Sequence, residues 1–115
     1  MAQEPMGGGE RRKHPRLQIR LPVSYRPAES LSATFRHDYT TDIATGGVQF
    51  LLAGEALKPG QRLEMELSVP PGEGHFPYTG RIRGNGTVVR CQATDPAQER
   101  WAVAARFDEP LALEF

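Results

Sequence analysis

Residues 62–69 read Arg-Leu-Glu-Met-Glu-Leu-Ser-Val, and Leu63, Met65, Leu67 and Val69 alternate without a break with charged or polar neighbours. Side chains on a strand point to opposite faces in turn, so a period of two predicts a β-strand with one face in a core. A turn signal, Lys58-Pro59-Gly60-Gln61, precedes it, and a Pro/Gly loop at 70–74 follows. The same pattern recurs on both sides. In 18–26, Ile19, Leu21, Val23 and Tyr25 alternate with Arg20, Pro22, Ser24 and Arg26, with Pro22 placing that strand near an edge or bulge. In 101–107, Trp101, Val103, Ala105 and Phe107 share one face. Leu31–Asp38, with Leu31, Ala33 and Phe35 on one side, and Val48–Leu52 read as two further strands. Arg81–Cys91 is open: Asn85-Gly86 suits a hairpin turn, and one long strand bulged at Gly84 and Gly86 fits equally well. Pro110 suits a first helical turn, so 108–115 has room for a turn or two of helix at most.

Short, evenly spaced strands with no long helical pattern predict an all-β fold, a small antiparallel barrel or sandwich. The composition agrees. In 115 residues there are 12 glycines and 10 prolines, and hydrophobic residues make up 38%. This length predicts one domain able to bury a core without disulfides. No apolar run approaches the roughly 20 residues of a membrane span. MAQEPMGGGE at the start has no apolar stretch of the secretory kind. The expectation is a cytoplasmic protein without membrane insertion. The lone Cys91 reads as a small buried hydrophobe.

Net charge is zero, yet it is unevenly spread: residues 1–36 carry seven bases against three acids, and residues 37–115 seven against eleven. Arg11, Arg12, Lys13 and Arg16 are the densest cluster. This basic arm is either a solvated tail or an anion site. Gly7-Gly8-Gly9 makes residues 1–10 a flexible tail, and Pro15 disfavours a helix through the arm.

Catalytic signatures are missing from the sequence. His14, His37 and His75 share no metal-ligand spacing, and one cysteine builds no thiolate cluster. No nucleophile elbow, phosphate-binding loop or zinc-protease motif occurs. The expectation is no enzyme, no metal and no cofactor. Two constellations remain. Arg12 and Arg16 form RxxxR within the arm, and Asp42-Ile43-Ala44-Thr45-Gly46-Gly47 forms DxAxxG at a strand junction. Each is weak alone; the second, by itself, reads as a glycine-rich hairpin with Asp42 as an Asx-type cap.

In this order, around the first strands, the two motifs resemble the PilZ family. Gly86-Thr87-Val88-Val89-Arg90 and Val103-Ala104-Ala105-Arg106-Phe107 also look like strands of that family, and the resemblance covers residues 10–109. It favours one long strand through Gly84–Gly86. It implies a six-stranded antiparallel β-barrel over 11–115, with the ligand arm at 11–17 and little or no C-terminal helix. It further implies a stand-alone bacterial receptor for cyclic di-GMP. Arg11, Arg12, Arg16, Asp42, Ala44, Gly46 and Gly47 are the ligand-binding residues so implied. Position 44 is Ala where the family more often has Ser, and Ala104-Ala105 stands where a Gly is often found.

Physically, guanidinium forks onto phosphate or onto guanine O6 and N7, and it stacks on flat rings. Asp42 is an acceptor for guanine N1–H and N2–H2. Gly46 and Gly47 permit left-handed backbone and close approach of a ring. The arm would order on binding and so signal to a downstream protein. Arg11, making RRxxxR, goes within the family with capture of two stacked ligand molecules per chain. The competing reading is a PilZ-like adaptor that binds no nucleotide and works by protein contacts. A barrel for nucleic acid polymers is disfavoured, because the arm carries no aromatics.

Overall fold

The computed structural model describes residues 16–30 and 32–114. Six strands, β1 (Pro22–Pro27), β2 (Arg36–Ala44), β3 (Gly47–Ala53), β4 (Arg62–Val69), β5 (Gly80–Asp95) and β6 (Arg100–Phe107), close into a barrel in the order β1-β2-β3-β6-β5-β4. Every pairing is antiparallel. Closure leaves no open sheet edge, which removes a template for aggregation. Among the described residues no helix is long and apolar enough to cross a membrane.

The alternation of 62–69 is realised residue for residue: Leu63, Met65, Leu67 and Val69 are buried, and their neighbours face out. Val23 and Tyr25 from β1, Ile43 from β2, Phe50 and Leu52 from β3, Val88 from β5, and Val103 and Ala105 from β6 join them in the interior. Tyr25 and Phe50 pack with ring centroids 4.8 Å apart. The buried Tyr25 hydroxyl donates to Asp38 Oδ2 at 2.6 Å. Burial first, and then that carboxylate, push the phenol well above its ordinary pKa, so it stays protonated and remains a donor. Cys91 is half-buried against the core.

Two expectations need correction. The second strand was expected over Leu31–Asp38, but β2 runs Arg36–Ala44. Its inward position Thr40 is polar, so the apolar pattern does not reveal it. Thr40 is buried because its hydroxyl donates to Ile19 O at 2.6 Å and accepts from Leu21 N at 2.9 Å. Phe35 instead lies half-buried beneath Arg26, whose guanidinium carbon is 4.4 Å from the ring centroid. Leu31 lies outside the described residues.

The segment around Asn85-Gly86 is one continuous strand, and β5 pairs with β4 along Gly80–Thr87 and with β6 along Gly86–Asp95. Its irregularities are not at Gly84 and Gly86. They fall between Val88 and Arg90 and between Ala93 and Asp95. Gly86 has a different role: a Cβ there would stand 2.8 Å from Arg106 O and 3.1 Å from Met65 Sδ. It is the point where β5 is gripped by β4 and β6 at once.

The C-terminal segment 108–114 contains no helix. It runs extended across the barrel, held by Leu111 N donating to Thr45 O, Glu114 N to His75 O and the Tyr78 hydroxyl to Ala112 O. Leu111 and Leu113 pack on the core.

Candidate functional site

Ile43 faces the core, so its neighbours Asp42 and Ala44 face outward. The pairing registers carry that face around the barrel. Asp42 on β2 lies opposite Gln49 on β3, Gln49 opposite Ala104 on β6, and Ala104 opposite Arg90 on β5. One step along, Ala44 lies opposite Gly47, Gly47 opposite Arg106, and Arg106 opposite Thr87. Two adjacent rows therefore interleave small residues, Ala44, Gly47 and Ala104, with the polar or charged Asp42, Gln49, Arg90, Arg106 and Thr87. A cleft of about 350 Å³ lies over this floor, lined by Arg16, Asp42, Gln49, Arg90 and Arg106 among others.

Local structure explains how each group is aimed. Arg16 is exposed and precedes Leu17, which makes a two-way backbone bridge to Ile43, with N···O distances of 2.7 and 2.8 Å. That antiparallel bridge sets Arg16 opposite Ala44 on the β2 side of the cleft, which Asp42 also lines. Thr41 is the extra residue of a bulge in β2. Its hydroxyl lies 3.4 Å from Asp42 Oδ2 and 3.3 Å from Gln49 O. The bulge at Val89 in β5 turns both Val89 and Arg90 outward, where Val89 is 46% exposed. Neither Asp42 nor Arg16, Arg90 or Arg106 forms an ion pair with a described residue. One carboxylate and three guanidiniums thus stand ready for an outside partner.

The two glycines act differently from expectation. Neither adopts left-handed backbone. Gly47 is required by packing: a Cβ would stand 2.5 Å from the carbonyl oxygen of Ala105, against which β3 is pressed. Gly46 has open space around its Cβ position. Its carbonyl accepts from Phe107 N at 2.8 Å, which ties the junction to the end of β6.

Of the residues picked from the sequence, Arg16, Asp42, Ala44, Gly46 and Gly47 line this one cleft. Arg11 and Arg12 lie outside the described residues. Gln49, Val89, Arg90, Ala104 and Arg106 also line it and were not picked. Their outward parity was readable, but which outward residues share a face depends on β6 lying between β3 and β5. A second, wider groove adjoins the first, shares Arg16, Asp42 and Gln49 with it, and continues to Glu73 and His75.

The family model described as PilZ domain matches residues 10–112. The chain belongs to the PilZ family. Among solved structures it is similar to the Bacillus subtilis inhibitor of motility MotI/DgrA, at 25% identity and a TM-score of 0.68 over 89% of this chain. That alignment spans 44% of MotI/DgrA, less than half of that protein. It is also similar in fold to the PilZ domain of Escherichia coli YcgR determined with cyclic di-GMP, at 18% identity and a TM-score of 0.58, covering 85% of this chain and 78% of that one. No curated protein matches it. Asp42, Ala44 and Gly47 are this PilZ chain's DxAxxG, and Arg16 closes its RxxxR.

Proposed function

We propose that this PilZ chain is a bacterial receptor that binds cyclic di-GMP in the cleft over Ala44, Gly47 and Ala104 and passes the signal to a downstream protein. One observation carries the reading: Arg16 and Asp42, far apart in sequence, line one cleft together with the small residues Ala44, Gly47 and Ala104. A flat purine needs such a floor, since larger side chains there would lift it off the sheet. Arg16, with Arg12 on the same arm, supplies forked donors to phosphate or base. Asp42 supplies the acceptor for guanine N1–H and N2–H2. Ala44 offers no hydroxyl, so at this position the ligand is held by contact with the floor. Calorimetric titration with cyclic di-GMP, with GTP and cyclic AMP as controls, tests the reading. Affinity in the micromolar range or tighter for cyclic di-GMP alone supports it. No heat and no spectral change at high ligand concentration rejects it in favour of a nucleotide-free adaptor.

Asp42→Ala lowers discrimination more than affinity. Replacing guanine by hypoxanthine in the ligand removes N2–H2, a penalty that wild type feels and Asp42→Ala feels less. Equal penalties in both would restrict Asp42 to shaping the turn.

The stoichiometry follows from charge. Two stacked ligands carry twice the phosphate charge of one, and Arg11 adds a further guanidinium beside RxxxR. Wild type binds two molecules per chain and Arg11→Leu binds one. A wild-type stoichiometry of one, with fully active protein, contradicts this while leaving the receptor assignment in place.

A further inference from the structure

The cleft has two chemically different ends. On the β2 side stand Asp42, an acceptor, and Arg16. On the β6 and β5 side stand Arg106 and Arg90, both exposed and without an ion pair to any described residue. Strand spacing puts β6 roughly 10 Å and β5 roughly 14 Å from β2 around the face. Arg106 is the nearer, in register with Gly47 on the floor itself. Arg90 is farther out, beside the bulge at Val89.

Guanine has the matching asymmetry. Its N1–H and N2–H2 edge donates and its O6 and N7 edge accepts, whereas adenine places an N6–H2 donor where guanine has O6. A guanine lying on Ala44, Gly47 and Ala104 with its donor edge toward Asp42 turns its acceptor edge away from that carboxylate. The side chain across the floor is Arg106, whose fork fits O6 and N7 together. A lysine there would keep the charge without the fork. We propose that Arg106 is a specificity-determining residue that selects guanine over adenine, with Arg90 behind it as a cation for the ligand's phosphate. The proposal rests on the cyclic di-GMP reading above.

The test is titration of wild type, Arg106→Ala, Arg106→Lys, Arg90→Ala and Arg81→Ala with cyclic di-GMP and with cyclic di-AMP. Arg81 is an exposed arginine of β5 outside the cleft, so Arg81→Ala controls for loss of bulk charge. The preference of wild type for cyclic di-GMP should fall by about tenfold or more in both Arg106 variants. Arg90→Ala should weaken both ligands alike, and Arg81→Ala should leave both within about twofold. Melting temperatures matching wild type show that the variants are folded. An unchanged preference in Arg106→Ala, or full retention of it in Arg106→Lys, overturns the proposal. Failure of wild type to bind cyclic di-GMP at all would instead strike the underlying receptor reading.

Discussion

Arg16→Ala weakens cyclic di-GMP binding about ten- to a hundredfold and leaves the melting temperature of the ligand-free protein unchanged. A hydrogen bond to a charged group contributes roughly 1.5–3 kcal/mol, and each 1.4 kcal/mol is about tenfold in affinity. The contact is lost without a folding penalty because Arg16 is exposed and the arm is anchored through the backbone of Leu17, which the substitution leaves in place. Titration calorimetry and a thermal melt on one protein preparation read both halves. A sharp fall in the ligand-free melting temperature would make Arg16 structural, and an unchanged affinity would take it out of the site.

Gly47→Ala lowers both stability and affinity. The added methyl would meet the Ala105 carbonyl oxygen at 2.5 Å, and that obstacle is backbone, with no rotamer to move aside. β3 and β6 must part where Gly47 faces Arg106. Overpacking of this kind costs roughly 1–3 kcal/mol, which for a domain of this size is a drop of several degrees in melting temperature. The same displacement tilts the floor of the cleft, so ligand affinity falls as well. Gly46→Ala is the control for stability. Its methyl enters open space, and its backbone is not left-handed, so the melting temperature holds or rises slightly. Equal destabilisation by the two substitutions would remove the packing explanation for Gly47.

How far the fold was readable depended on which side chains line the barrel. β4 was legible to the residue because four apolar side chains alternate with polar ones over its whole length. β2 was misplaced because one of its inward positions is Thr40, whose burial rests on two hydrogen bonds rather than on hydrophobicity. The glycines of β5 suggested bulges, but Gly86 instead marks a close approach to Arg106 and Met65. The true irregularities, at Val89 and Thr94, have no glycine to announce them. The site divides in the same way. Arg16 and Asp42 belong to motifs whose spacing is visible along the chain. Arg90 and Arg106 join them only through barrel closure, a long-range pairing that local pattern does not encode.

The receptor claim is tested most directly by amide chemical-shift mapping of the isotopically labelled protein during titration with cyclic di-GMP. Saturable shifts concentrated at Arg16, Asp42, Ala44, Gly47, Gln49, Arg90, Ala104 and Arg106, residues that line the cleft, are the result expected under that claim. Shifts absent at saturating ligand, or confined to the β1–β4 side of the barrel, would contradict it.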